Sequence, residues 1–329
     1  MEKELSIVIV NWNTRDLLRD CLESLFRTMK GVSFYVYLVD NGSVDDSVPM
    51  VERQFPEVIL IKNRFNLGFT RANNQALHMV HTPYVFLLNT DTVLHGGTVG
   101  GMVGFLRENP DVGVVAPQFL NRDGSKQNTF DNFPSLPTEL LNKGLLRVFF
   151  PGRYPGKRVD YERPLEVESV LFAGAMLRQD AFRQIGFMDE EYFAYLEDTD
   201  TCFRLKKAGW RCFYLPHLKM YHYGGGSKGK SSSERANSVI EYYRSLYRFF
   251  RKNRSFAEYL ILKLFKPLRL IISLLASLLG LVLTLFMHRG LRSRVYGYLK
   301  LLEWHLRGCP SSMGIRGEKG EEAAEHVSR

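Results

Sequence analysis

With 329 residues, 45% of them hydrophobic and 24% charged, the chain has room for one large α/β domain or two modest ones, and its composition excludes global disorder and collagen-like repeats. Cys21, Cys202, Cys212 and Cys309 are scattered and form no CxxC pair, which argues against a disulfide framework or structural zinc and for a reducing compartment. The net charge of +9 is local: between Glu234 and Gly308 stand 14 Lys/Arg against 4 Asp/Glu, so that segment holds the whole excess. Cations wrapped around a greasy stretch point to a membrane surface as partner, and nucleic acid is not expected.

Leu5–Val10 is an apolar run ending at Asn11-Trp12-Asn13. It is too short for a secretory h-region and reads as a buried first strand, with the bulk of the protein in the cytosol. Thr14 can cap a helix that puts Leu18, Cys21, Leu22, Leu25 and Phe26 on one face. Tyr35–Val39, Val58–Ile61, Tyr84–Leu88 and Val112–Ala116 read as further strands. Helices are expected up to about Phe55, over Phe69–Val80 and over Thr98–Glu108. Such alternation predicts a largely parallel sheet covered by helices.

Residues 120–168, rich in Pro, Gly, Asn and Arg, read as a long loop region. Pattern returns over Val170–Leu177, with helices at Asp180–Ile185 and Glu197–Ala208 and a strand around Arg211–Leu215. An aromatic, basic helix is expected over Glu234–Asn253. Leu270–Met287 is 18 residues without a charge, the lower end for crossing a bilayer. Lys263, Lys266 and Arg269 precede it and Arg289, Arg292 and Arg294 follow, so the charge rule gives no orientation. The segment can lie in or re-enter the membrane, with Gly280 as a bend; it can also span, or be a buried helix. The tail after Gly308 is expected to be disordered.

Polar residues gather where strands end, the edge at which open α/β sheets bind ligands. Asp40-Asn41-Gly42-Ser43 can accept from a base or ribose, or simply close a turn. Asn66-Leu67-Gly68-Phe69 with Arg71, Asn73 and Asn74 sets amides and a cation at a helix start, suited to pyrophosphate or to capping. Asn89-Thr90-Asp91-Thr92 offers a carboxylate and an amide that can hold Mg²⁺ or Mn²⁺ on phosphate oxygens, or form an Asx turn. Glu197, Asp198 and Asp200 are carboxylates close enough to raise one another's pKa, as a general base needs, though acids also favour a helix N-terminus for its dipole. His222 is a possible metal ligand or a bland loop histidine.

Gly224 to Ser231 fits G-x-x-x-x-G-K-[ST]. A nucleotide-hydrolase P-loop needs a hydrophobic strand before it and a later strand ending in a Mg²⁺-binding Asp. Leu218–Tyr223 is short and mixed and no further αβ unit follows, so a Gly/Ser/Lys lid near phosphates is the better reading, with the hydrolase as an alternative tied to Lys230.

Together Ser6–Asn13, Val39–Ser43, Asn66–Phe69 with Ala72–Asn74, and Leu87–Thr92 resemble, in order, the motifs of family 2 glycosyltransferases. Ala173–Met176, Phe187–Glu190, Tyr195–Asp200, Lys207–Trp210 and His222–Ser227 extend the likeness, in the rhamnosyltransferase-like branch, over about residues 5–250. The resemblance implies a GT-A fold, Rossmann-like and mostly parallel, and inverting sugar transfer from a nucleotide sugar to a polyprenyl-diphosphate-linked glycan at the cytoplasmic face of the membrane. A binding protein without catalysis is the rival within this likeness. The implied organisation is a catalytic domain over 1–233 (donor half 1–118, acceptor half 119–233), a membrane-association region over 234–308 and a tail over 309–329. By the same likeness Asp40, Asn11, Asn13, Asn41, Gly42, Asn66, Gly68, Arg71, Asn73 and Asn89 line the donor side. Asp91 and His222 hold the cation, Asp198 is the general base, and Glu197, Asp200 and Gly174 stand on the acceptor side. Two positions depart from the family pattern: Asn89 replaces the first aspartate of an Asp-x-Asp motif, and Ala76 replaces a glycine.

Overall fold

A computed structural model of the chain describes residues 3–29, 33–157, 159–224 and 231–315. In chain order the elements begin with β1 (Leu5–Asn11), α1 (Arg15–Thr28), β2 (Phe34–Asp40), α2 (Ser47–Gln54), β3 (Ile59–Lys62), α3 (Phe69–Leu77) and β4 (Tyr84–Asn89). Next come β5 (Thr92–Leu94), α4 (Thr98–Glu108), β6 (Val112–Leu120), β7 (Phe130–Asp131), α5 (Leu136–Leu140), α6 (Lys143–Phe149) and β8 (Leu165–Glu166). The chain continues through β9 (Ser169–Val170), β10 (Gly174–Arg178), α7 (Gln179–Gln184), α8 (Glu197–Lys207) and β11 (Arg211–His222). It closes with α9 (Ser232–Asn253), α10 (Phe256–Leu283) and α11 (Arg289–Leu306).

Two compact units result. The first comprises Met1–Phe133, Phe150–Tyr192 and Glu197–Gly226. Its mostly parallel sheet runs β3-β2-β1-β4-β10-β6-β11-β5, with β8 paired to β11. β1 is buried on both faces, which explains why its sequence is a continuous apolar run rather than an alternating one. The parallel register sets Asn11 opposite Asp40 and Val10 opposite Asn89, so three polar strand ends share one edge. β10 inserts antiparallel between β4 and β6, and β11 follows parallel to β6. In α1, Leu18, Cys21, Leu22 and Leu25 are buried, the face that their spacing predicts. All four cysteines are unpaired.

β11 is longer than the expected Arg211–Leu215 and reaches His222, with an irregular register between Leu215 and Lys219. This break hides the strand from a periodicity reading, because a bulge resets the alternation of faces. Beyond it, His222 pairs opposite Thr92 of β5.

The second unit comprises Pro134–Phe149, Phe193–Leu196 and Ser227–Arg329. Two short helices, α5 and α6, stand where a loop is expected. Ser135 caps α5 in a capping box with Thr138, a helix too short to show a period in sequence. Lys266 of α10 donates to the carboxylate of Glu139 in α5 at 2.7 Å, with both groups buried. Along α10, Leu262, Lys266, Leu270, Leu274, Ser277 and Leu281 form one buried stripe. α11 folds back on it through Val295, Leu291, Tyr298 and Leu302. Gly280 lies inside α10 rather than at a bend, and a Cβ there would come within 3.2 Å of Leu291. Residues 309–315 are not a loose tail: the Trp304 indole and Arg244 both donate to the Pro310 carbonyl, at 3.1 and 3.0 Å. Residues 316–329 lie outside the described residues.

In the first unit, Asp200 is fully buried and accepts from Arg204 Nε at 2.8 Å, while the same guanidinium donates to the carbonyls of Ile185 and Phe187 at 2.6 Å each. Removing one partner strands a buried charge. Arg204→Ala is expected to lower stability by about 3 kcal/mol, read as a lower urea midpoint.

Candidate active site

The donor edge is a hydrogen-bonded frame. Asn11 Nδ2 donates to Asp40 Oδ1 at 2.8 Å and to Ser43 Oγ at 3.0 Å, and the Ser43 amide donates to Asp40 Oδ2 at 2.9 Å. Both Asp40 oxygens are thus braced at a residue only 3% exposed. The Thr14 hydroxyl donates to Asn11 Oδ1 at 2.7 Å and lies 2.9 Å from the Thr90 hydroxyl, tying the end of β1 to the loop after β4. Asn13 takes a left-handed φ of 52°. There its amide meets Ser43 Oγ at 2.9 Å and its Oδ1 accepts from Val44 N at 2.8 Å. Beside it opens a cavity of about 530 Å³ walled by Asn13, Thr14, Arg15, Asp16, Asp45 and Asp46.

Asn41 pins the loop that precedes α3. Its Oδ1 accepts from Leu67 N at 3.0 Å and its Nδ2 donates to Asn66 Oδ1 at 2.9 Å and to Gly68 O at 3.3 Å. Gly42 allows this stacking: its φ is +80°, and a Cβ would stand 2.7 Å from the Phe65 Cα. Asn66 closes an Asx turn onto Gly68 N at 2.9 Å. Arg71 is half exposed and 3.7 Å from Glu190. Asn73 is turned inward: it is buried and donates to Phe69 O of its own helix at 2.8 Å.

At the end of β4 the Asn89 amide donates to Ala173 O at 3.0 Å, and Asn89 O accepts from Thr92 Oγ1 at 2.7 Å. Two residues on, Asp91 Oδ1 lies 3.3 Å from His222 Nε2 at the end of β11. The His222 tautomer follows from a residue the sequence did not flag. Gln127 Nε2 donates to His222 O at 2.7 Å and to Asn121 Oδ1 at 2.6 Å, so its Oε1 faces His222 Nδ1 at 2.8 Å and must accept from it. With Nδ1 committed to Gln127, Nε2 is the ring nitrogen that faces the carboxylate, and at 3.3 Å either a proton or a cation bridges the two. The distance is close to the ~3 Å edge of an octahedron with bonds of ~2.1 Å, so the pair fits a hard divalent cation. No cluster of three or more His, Cys, Asp or Glu occurs among the described residues; Asp91 and His222 are a pair.

The third element is the start of α8. Asp198 Oδ1 accepts from Thr199 N at 2.6 Å and from Thr199 Oγ1 at 3.1 Å, and the carboxylate also takes the Phe172 amide. Residues 172–173 therefore link Asp198 to Asn89. Burial, with a smaller push from Asp131, raises Asp198 to about 6. Burial and the neighbouring Asp198 carboxylate raise Glu197 to about 8, and Glu197 Oε2 is buried without a hydrogen-bond partner among the described residues. Asp200 and Gly174, expected on the acceptor side, are both tightly packed. Asp200 is held by Arg204 and Tyr192, and a Cβ on Gly174 would lie 2.5 Å from Met220 Sδ. Most of the P-loop-like run, residues 225–230, lies outside the described residues. Ser231 caps α9, and only helices follow it among the described residues.

Residues 6–186 match the model of Glycosyl transferase family 2. The chain belongs to that family. Among its relatives is the N-acetylglucosaminyl-diphospho-decaprenol L-rhamnosyltransferase of Mycobacterium tuberculosis, 29% identical over 272 residues, 78% of this chain and 86% of that protein. The dTDP-rhamnosyl transferase RfbF of Shigella flexneri is 23% identical over 262 residues, covering 78% and 80%. The mannosyltransferase PcManGT of Pyrobaculum calidifontis, solved with GDP-Man and Mn²⁺, shares the fold with a TM-score of 0.57 at 16% identity, over 94% of this chain and 89% of that one. The chain is a GT-A glycosyltransferase of rhamnosyltransferase-like type.

In this glycosyltransferase Gly42→Ala is expected to cost at least about 2 kcal/mol, because strain at positive φ adds to a backbone clash. The carboxyls of Glu197 and Asp198 hold their protons more tightly folded than unfolded. Their contribution to stability is full below about pH 4 and is lost as pH rises toward 8. Glu197→Gln is therefore expected to melt higher than the parent at pH 8, with the gap closing toward pH 4.

Proposed function

We propose that the glycosyltransferase moves a sugar, L-rhamnose first among candidates, from a nucleoside-diphosphate donor to a hydroxyl of a polyprenyl-diphosphate-linked glycan, with inversion, at the cytoplasmic face of the membrane. The observation that carries this reading is the braced Asp40 and the Asp91–His222 pair at strand ends, with buried Asp198 of α8 joined to the end of β4 through Phe172 and Ala173. The names of the mycobacterial and Shigella relatives support the donor sugar and the lipid-linked acceptor.

In this mechanism Asp40 accepts from the base or ribose, and Asn11 and Ser43 hold its carboxylate in place. Asp91 and His222 would hold Mg²⁺ or Mn²⁺, which when bound neutralises charge on the departing diphosphate. Asp198 takes the proton of the acceptor hydroxyl as that oxygen attacks the anomeric carbon from the face opposite the diphosphate. The C–O bond to the diphosphate breaks as the new one forms. Burial raises this carboxylate above its ordinary range, which makes it the better proton acceptor.

Residues 1–233, apart from Pro134–Phe149 and Phe193–Leu196 of the second unit, form the catalytic part, and 234–308 the membrane attachment. α10 is long and apolar enough to cross a bilayer, with mean hydropathy 1.9 over its best window. Its packing favours lying in the membrane plane. α11 backs the 274–281 stretch and carries Arg292, Arg294 and Lys300, charges that a spanning hairpin would bring toward the hydrocarbon at a cost that grows with depth.

The test is a thermal-shift panel of nucleoside diphosphates with and without Mn²⁺, on parent and Asp91→Ala. One nucleotide at 100 times its dissociation constant should stabilise the parent by about 2.7 kcal/mol, and only with metal. The variant should lose that shift. No shift with any nucleotide, or a shift unchanged in the variant, would contradict the site.

A further inference from the structure

We propose that α6 is a second membrane-insertion element of this glycosyltransferase, an apolar foot that enters an anionic bilayer surface beside α10. The inference rests on the membrane reading above and adds a segment far in the chain from the apolar stretch, Leu270–Met287, that prompted it.

On α6, Leu145, Val148 and Phe149 follow the i, i+3, i+4 spacing of one helix stripe and are 58%, 73% and 70% exposed. Leu141, just before the helix, is 56% exposed. The single buried residue of α6 is Leu146. Lys143 and Arg147 fall on the opposite side of the helix, and Lys143 reaches back to Glu139 at 4.0 Å. This anchoring turns the apolar stripe outward.

The occupant is fixed by what α6 is mounted on. Glu139, in the helix directly before it, is held by buried Lys266 at 2.7 Å, and Arg269 donates to Glu139 O at 3.4 Å. Those two cations sit on α10 among Leu264, Phe265, Leu268 and Ile272, whose side chains stand exposed. α6 is thus fastened to the element whose own exposed face is apolar. The surplus of ten cations over 234–308 gives the same unit the charge that anionic headgroups attract. An apolar stripe with cations set behind it is the arrangement that lies in the interface of an anionic bilayer.

Full-length protein would be floated with phosphatidylglycerol-containing vesicles and with phosphatidylcholine vesicles. Val148→Glu with Phe149→Glu should lower partitioning into the anionic vesicles by about tenfold or more. Leu264→Glu with Leu268→Glu on α10 serves as the comparator. In a second measurement an environment-sensitive fluorophore at Phe149→Cys, in a Cys309→Ser background, should shift to the blue with anionic vesicles and be quenched by brominated acyl chains. This readout holds even where the charged variant misfolds. If the label neither shifts nor quenches while the α10 variant loses binding, α6 is no foot and the membrane reading stands. If the unmodified protein binds neither vesicle, both fall. A blue shift without vesicles, raised by protein concentration, would make the stripe a contact with a second copy and overturn the proposal.

Discussion

The parallel register of β1 against β2 and β4 places Asn11 across from Asp40 and Val10 across from Asn89, and the site hangs from that pairing. A slip of one residue would turn each of these side chains to the other face of the sheet. Burial of β1 on both faces makes such a slip costly, because its apolar positions have no solvent side to accept a polar residue. The Asn11–Asp40 hydrogen bond then carries the register into the site, and Thr14 and Thr90 extend it toward Asp91.

The carboxylates divide by environment, and the division assigns their work. Asp40 is buried but receives donors on both oxygens, so it is held as a fixed acceptor. Asp91 faces an imidazole whose far nitrogen is committed to Gln127, the pair proposed above to hold the cation. Burial holds the protons of Asp198 and Glu197 more tightly than in the unfolded chain. Asp200 has a full-strength partner in Arg204 and works for the fold.

Helices with a long apolar period were legible from sequence: α4 spans Thr98–Glu108, the bounds expected, and α1 buries the face expected. α5 and α6 were not, since five and seven residues hold too little of a 3.6-residue period to register. α11 was hidden because its arginines read as the flank of an apolar segment. Gln127 left no signal, as its meaning depends on His222, which comes beside it only through the pairing of β11 with β6 and β5. Asn73 and Gly174 show the converse limit. Residue types that suit a ligand also suit a helix-internal hydrogen bond or a close packing contact, and spacing alone does not separate the two.

The claim on which the account stands is that this sheet edge transfers a sugar with Asp198 as the base. It is tested most directly by following radiolabelled rhamnose from its thymidine diphosphate donor onto a short polyprenyl-diphosphate-linked GlcNAc, with parent protein and Asp198→Asn side by side. Transfer by the parent is expected, and a fall of at least about a hundredfold in the variant with nucleotide binding retained. Equal transfer by the two proteins would contradict it.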